Sequence, residues 1–367
     1  MRLAMVRSKS PAGIEPRLDR EASALARAGH EVHVLLWDRN LEHPAEEKRG
    51  GYEIHRYRRR APEGQLGLLP RMLGWWLWEA RTLRRLKPDV IHACDFDTVL
   101  PAAFCATLRS KRFVYEIFDF YAYMIAQPLS SGTRERLAGF ERYVARRADL
   151  VIEADIARKV QLGPSFSGRI VEIMNVPVEA SINEPEEREF TVFYGGMISL
   201  ERGLKELVEG TAQAGVKLVV AGHGADEATL VPIFKENPNV TYLGNIPYQD
   251  VLRWTARSQL IAALYDPGIP NNKLASPNKL FEAMMLRKPV LTNEGIRPAE
   301  IVREVGCGVV VRYGDTEGLA KELKDLAQDQ RARAVMGAKG REAFEKTYNW
   351  RTMEKRMIDA YASLQDV

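Results

Sequence analysis

The chain has 367 residues, 46% of them apolar and 28% charged. That is the make-up of globular protein long enough for two domains of about 150 to 200 residues. Its longest apolar runs, such as Lys217-Leu218-Val219-Val220-Ala221-Gly222, are strand-sized and far from the roughly 20 residues of a membrane span. The start, Met1-Arg2-Leu3-Ala4-Met5-Val6, is too quickly interrupted for a secretory signal. Cys94, Cys105 and Cys307 are odd in number and scattered, which argues for a reducing, cytoplasmic setting and against zinc or a disulfide frame. Residues 1–90 hold 18 Lys plus Arg against 12 Asp plus Glu, whereas 91–180 balance at 11 each and the remainder holds 24 against 26. An anionic partner for the N-terminal half and a merely solvated face both fit that asymmetry.

In chain order, strands are expected at 3–6, 31–37, 89–93, 112–117 and 150–153, with helices at 15–28, 70–86, 98–108 and 134–147. The theme repeats beyond residue 190. Strands are expected at 191–194, 217–221, 240–243, 260–263, 289–291 and 308–311, with helices starting near Glu201, Ala225, Tyr248, Asn278, Pro298 and Asp315. Alternation of this kind predicts doubly wound parallel sheets covered by helices. The Pro- and acid-rich stretch Pro177-Val178-Glu179-Ala180-Ser181-Ile182-Asn183-Glu184-Pro185-Glu186-Glu187 reads as the linker between them. The division expected is 1–180, 181–347 and a final helical piece, 348–367, that packs back on the first domain. Two such domains place the carboxyl ends of their sheets at one cleft.

Neither domain carries GxGxxG or a P-loop, so nicotinamide and kinase-type ATP chemistry lose support. What the second domain has instead is Tyr194-Gly195-Gly196, then Arg202-Gly203, and later Ser276-Pro277-Asn278-Lys279-Leu280-Phe281-Glu282. Gly195 and Gly196 allow close backbone approach, and Arg202 offers a bidentate guanidinium to a diphosphate. Lys279 adds a second cation. The amides of Asn278 and Lys279 open a helix after Pro277, and Glu282 can accept from two vicinal ribose hydroxyls. Taken singly, each segment is equally an ordinary turn or surface side chain; together they point to one nucleotide cradle.

The whole chain resembles retaining glycosyltransferases of the GT-B fold, the family 4 group. The resemblance rests on Tyr194 to Gly203, Val219-Val220-Ala221-Gly222-His223-Gly224, Val240-Thr241-Tyr242-Leu243-Gly244-Asn245-Ile246-Pro247, the stretch from Pro277 to Pro289, and Gly306-Cys307-Gly308-Val309. Arg27-Ala28-Gly29-His30-Glu31-Val32, Lys87-Pro88-Asp89-Val90-Ile91-His92 and Ala148-Asp149-Leu150-Val151 add support. It implies a hexosyltransferase that moves a sugar from a nucleoside diphosphate sugar to a carbohydrate or lipid-linked acceptor with retention, without metal or other cofactor, and with no nucleic acid partner. Arg202 and Lys279 then serve catalysis with Asp119, while Gly13, Gly195, Gly196, Ser276, Asn278 and Glu282 hold substrate.

The chain also departs from that pattern. Met197 stands where relatives often have an arginine, Leu274 where the first of two glutamates falls, and Phe118 where a histidine often lies near the sugar. Asp119 is the nearest polar replacement for that histidine, or else a helix cap. Gly13 resembles the family's phosphate-approaching glycine, or is a plain turn glycine. The Asp95-Phe96-Asp97 pair lacks further ligands and is discounted as a metal site; His92 reads as a core histidine and His223 as structural. A GT-B epimerase acting on the nucleotide sugar, and a catalytically silent partner subunit, are the alternative functions.

On the acceptor side, the 70–86 helix is expected to bury Leu69, Leu73, Trp76, Ala80 and Leu83 and to present Trp78 among Arg71, Arg81 and Arg85. With Arg56, Arg58, Arg59 and Arg60 nearby, that face suits peripheral contact with an anionic membrane. An isolated surface Trp stacked by arginine is the rival reading.

Overall fold

The computed structural model describes residues 1–8, 13–61, 65–124 and 130–365, without the side chains of 65–69 and 124. The chain forms two compact units, Met1–Met174 with Met353–Val367, and Asn175–Thr352.

In the first unit, eight strands form one sheet: β1 (Arg2–Arg7), β2 (Glu31–Asp38), β3 (Glu46–Arg49), β4 (Tyr52–Arg58), β5 (Val90–Cys94), β6 (Arg112–Ile117), β7 (Leu150–Glu153) and β8 (Ile170–Glu172). Their order is β3-β4-β2-β1-β5-β6-β7-β8, parallel throughout except for the β3–β4 pair. Leu3 to Val6 are fully buried because helices cover both faces. The sequence reading misses β3, β4 and β8. The first two hide behind charge: Glu46-Glu47-Lys48-Arg49 turns through Gly50 and Gly51, with φ of 54° and 87°, into a strand that carries His55, Arg56 and Arg58.

The helix Gln65–Leu86 lies in a different rotation from the expected one. Met72, Trp75, Glu79, Thr82 and Leu83 are buried, whereas Leu73 and Leu77 are 63% and 56% exposed. Leu69 has no described side chain. Trp78 is not an outward anchor: it stacks on Trp75 at 5.3 Å and meets Tyr57 at 5.6 Å, and Trp75 stacks in turn on Trp37. Aromatics of β2 and β4 supply partners that helix periodicity alone cannot reveal. Arg56 is likewise turned inward, paired with Glu47 and bonded to the carbonyl of Pro44.

The helix Trp350–Ala362 belongs largely to this unit. Tyr361 meets His92 Nδ1 at 2.6 Å, Arg356 pairs with Glu172 at 2.8 Å, and Glu354 takes Arg27. His92 is a buried core residue whose second nitrogen faces Glu116 at 3.0 Å.

In the second unit, β9 (Thr191–Gly195), β10 (Lys217–Ala221), β11 (Val240–Tyr242), β12 (Leu260–Ala263), β13 (Val290–Asn293) and β14 (Gly308–Val311) form a parallel sheet in the order β11-β10-β9-β12-β13-β14. Strand order reverses between β9 and β12, and ligands of open α/β sheets bind outside the carboxyl ends at such a point. The helix Gln330–Lys346 is absent from the sequence reading. It follows Thr316–Gln328 after the single residue Asp329, whose side chain caps it through Ala332 N at 2.8 Å. The 177–187 stretch is strapped along this unit, with Glu179 on Arg341, Glu186 on Lys288 and Glu187 on Arg257. Among the described residues, no helix is long and apolar enough to cross a membrane.

Candidate functional site

The turn that leaves β9 is built from glycine for steric reasons. A Cβ on Gly222 would stand 1.7 Å from the Gly196 carbonyl oxygen, and one on Gly224 would stand 2.2 Å from that of Ile198. The loops after β9 and β10 therefore press backbone against backbone, tied by Gly196 N to Ala221 O at 2.9 Å and Ile198 N to His223 O at 3.0 Å. Gly196 has φ 153°, and the Lys279 ammonium lies against it, 3.0 Å from where a Cβ would be.

These loops and the opening of the helix Asn278–Met285 enclose a cavity of about 310 Å³. Gly195, Gly196, Arg202, Asn278, Lys279 and Glu282 all line it, so six of the residues singled out in the sequence meet at the carboxyl end of the second sheet. Pro277, the N-cap, has no side-chain acceptor for the helix's first amides. Ser276 stands just ahead of it with a buried hydroxyl that has no hydrogen-bond partner among the described residues.

Each charged group in the cavity is held in place. Arg202 donates to Asn272 Oδ1 at 3.0 Å and lies over the Tyr265 ring at 4.4 Å. Lys279 Nζ sits 3.7 Å from the centre of the Tyr194 ring. Burial, then the charge of Arg202, pushes the Lys279 ammonium down to about 7 against the pull of Glu282. Glu282 is nearly buried and accepts from the Tyr248 hydroxyl at 2.9 Å. Sequence reasoning missed Tyr194, Tyr248, Tyr265 and Asn272. Tyr194 and Tyr265 were open to detection as aromatics at the ends of strands that flank the reversal; Tyr248 and Asn272 reach the site only through the fold.

A second cavity of about 510 Å³ shares Gly196, Met197 and Val251 with the first, and is completed by Gly222, His223, Gly224, Asn245 and Ile246 among others. Its mostly uncharged lining suits a flat heterocycle beside the charged cavity. Met197, at the position of the missing arginine, is 56% exposed. Leu274 ends the short helix Pro270–Lys273 and is half-buried.

Asp119 and Gly13 belong to the first unit. Asp119 follows β6 and pairs with Arg158 at 3.4 Å, while the same guanidinium donates to the Phe118 carbonyl. Phe118 is flanked by guanidiniums, Arg7 at 3.7 Å and Arg17 at 4.7 Å from its ring. Asp95, weighed in the sequence only as a metal ligand and discounted as one, takes the Phe118 amide at 3.1 Å and faces Arg7 at 3.6 Å. Burial pushes it up to about 7, with Arg7 opposing. Asp97 accepts from Ser8, so the Asp95-Phe96-Asp97 pair is engaged with protein partners. Gly13 has φ 90° beside the His43 ring. The loop residues just before it, 9–12, lie outside the described residues.

Two family models match the chain: glycosyl transferase 4-like domain over residues 12–153, and glycosyl transferases group 1 over residues 190–329. Among curated proteins, it is 27% identical over 172 residues to a GDP-mannose-dependent monoacylated alpha-(1-6)-phosphatidylinositol monomannoside mannosyltransferase of Corynebacterium glutamicum, which covers 46% of this chain and 44% of the relative. It is 24% identical over 179 residues to the capsular polysaccharide biosynthesis glycosyltransferase CapM of Staphylococcus aureus, with 45% of each chain covered. The match thus spans about half the length of these relatives. Among solved structures, sucrose-phosphate synthase from Thermosynechococcus elongatus superposes with a TM-score of 0.78 at 17% identity, covering 100% of this chain and 99% of that one. Anabaena HepE in complex with UDP and glucose superposes with a TM-score of 0.72 at 17% identity, covering 99% and 100%. These likenesses assign the fold: two parallel α/β sheets of the GT-B type.

Proposed function

The chain belongs to the glycosyl transferases group 1, with a glycosyl transferase 4-like domain ahead of the group 1 domain, and from that membership we propose that it moves a hexosyl unit from a nucleoside diphosphate sugar to a carbohydrate or lipid-linked acceptor, with retention and without a metal ion. The observation that carries this reading is the single cavity lined by Arg202, Lys279 and Glu282. Two cations and the uncapped start of the helix Asn278–Met285 face one space, where negative charge on a departing diphosphate needs stabilising. Glu282, steered by Tyr248, is the acceptor for ribose hydroxyls, and the neighbouring uncharged cavity takes the base. HepE, crystallised with UDP-glucose, supports a donor of this class. Arg202 and Lys279 take the part that a divalent cation plays in metal-assisted transfer.

The proposal extends to peripheral contact between the first unit and anionic membrane, on a face other than the one read from sequence. Leu73 and Leu77 are exposed on the helix Gln65–Leu86, and Phe104 and Leu108 on the adjacent helix Phe96–Leu108. Arg81, Arg84 and Arg85 are exposed on the first of these helices, and Arg109, just past the end of the second, is half-buried.

The test mixes the protein with a panel of UDP-, GDP- and ADP-sugars and follows free nucleoside diphosphate, with and without chelator. Slow release that survives chelator and accelerates with acceptor, giving a product of unchanged anomeric configuration by NMR, is the expected outcome. A new sugar isomer without release, or binding without turnover, would replace this reading with epimerisation or a silent partner role. Flotation with anionic vesicles tests the membrane part, and protein that stays behind at low salt removes it.

A further inference from the structure

At the edge of the first sheet, β2 and β4 bring two buried histidines together. His33 and Glu53 are partners in the parallel register of these strands, and His55 follows Glu53 by two residues, on the same face. His33 Nδ1 and His55 Nε2 face each other at 3.1 Å, with Glu53 Oε2 at 3.6 Å from His33 Nδ1. Both rings are over nine-tenths buried, while Glu53 keeps an opening to solvent.

The outer nitrogens decide what the inner ones can be. His33 Nε2 lies 3.2 Å from Glu31 Oε1, and His55 Nδ1 lies 3.6 Å from Glu46 Oε1. A neutral imidazole has one N–H, and a carboxylate can only accept. If each ring turns its N–H to its outer carboxylate, two lone pairs are left opposed at 3.1 Å. If His55 instead protonates Nε2 to bond His33, its Nδ1 lone pair faces Glu46, and that atom has no hydrogen-bond partner within the structure. A divalent cation between the inner nitrogens removes both conflicts. It takes both lone pairs and the Glu53 oxygen, and leaves each ring donating outward to a carboxylate, as metal-bound histidines ordinarily do. Two nitrogens bound at about 2.0 to 2.1 Å in tetrahedral geometry stand about 3.4 Å apart, close to the spacing already present. The remaining groups are compatible: Lys48 pairs with the other Glu53 oxygen at 3.2 Å, and Arg2 with the other oxygen of Glu31 at 2.9 Å.

We propose that His33, His55 and Glu53 form a binding site for one borderline divalent cation of the zinc class, with solvent completing its shell and the ion clasping β2 to β4. The site has no part in the proposed transfer, whose donor pocket is built from second-unit residues. It also shows why a search for CxxC spacing passes over it: the ligands come from two strands and are 22 residues apart.

The test uses the whole chain, stripped with chelator and dialysed. Zinc titrated by calorimetry should bind at one equivalent with micromolar or tighter affinity and raise the melting temperature, and cobalt should give the intense visible bands of a four-coordinate ion. Glu53→Gln, on a half-exposed side chain, and His55→Gln should each weaken zinc at least about tenfold, with nucleoside diphosphate binding unchanged as the check that the protein is folded. Zinc bound with equal affinity by both variants, no stoichiometric zinc, or magnesium competing as well as zinc would overturn the site and leave a hydrogen-bonded histidine pair.

Discussion

Under the proposed function, Arg202, Lys279 and Glu282 divide the donor's handling between charge and orientation. Removing Arg202 takes a fixed cation from the departing diphosphate, so Arg202→Ala should lower kcat/KM by about a hundredfold or more with the circular dichroism spectrum unchanged. Glu282→Ala should weaken donor use as severely, mainly through KM, and wild-type kinetics in both variants would remove the site assignment. Lys279 makes a pH-dependent claim. Its ammonium is held down to about 7, and a bound diphosphate favours the charged form. Affinity for the diphosphate should therefore fall by up to about tenfold per unit as pH rises above 7. Calorimetry between pH 6.5 and 9 reads this directly, and Lys279→Gln should flatten the profile. Arg202, Lys279 and Glu282 were legible as residues; their aromatic and amide supports were not, because Tyr248 and Asn272 arrive from elements whose packing has no local signature.

Among elements, the helix Gln65–Leu86 shows how a stripe is misassigned. Apolar and aromatic residues occur nearly all round it, from Met72 to Trp78, so periodicity alone does not choose the buried face. Trp37 chooses it by stacking on Trp75, and Tyr57 by packing its ring at a tilt against Trp75 and Trp78. Trp78→Ala should consequently cost about 2 kcal/mol or more of stability, measured by denaturant unfolding, because it removes a cluster member. Leu73→Ser with Leu77→Ser should leave stability within about 0.5 kcal/mol while lowering vesicle flotation. The opposite pattern would restore Trp78 as the outward anchor.

At the scale of the molecule, the two units store buried charge of opposite sense. Burial raises Asp95 and Glu141 to about 7 and Glu153 to about 8, and neither Glu153 carboxylate oxygen has a hydrogen-bond partner among the described residues. Folded values above the unfolded carboxylate range of about 4 mean that the native first unit holds more protons there. The stability these groups contribute is complete below about pH 4 and is lost as pH rises through 7 to 8. Lys279 is depressed, so the native second unit holds fewer protons than the unfolded chain above about 7, and its contribution grows with pH. Hydrogen exchange followed by mass spectrometry should show β6 and β7 peptides opening more readily at pH 8.5 than at pH 6, with β9 and β12 peptides unchanged or better protected. Equal shifts in both units would contradict the buried-charge account.

The sequence by itself determined the two doubly wound sheets, since apolar strand runs alternating with amphipathic helices leave little else to build. It also marked Gly195, Gly196, Arg202, Lys279 and Glu282, because glycine turns, cations and helix starts are local chemistry. The tertiary structure alone decided which face of the helix Gln65–Leu86 is buried, which side chains hold Arg202 and Lys279, and that His33 and His55 meet. Those outcomes depend on strand register and on aromatic neighbours distant in the chain, and no window of sequence contains both members of such a pair.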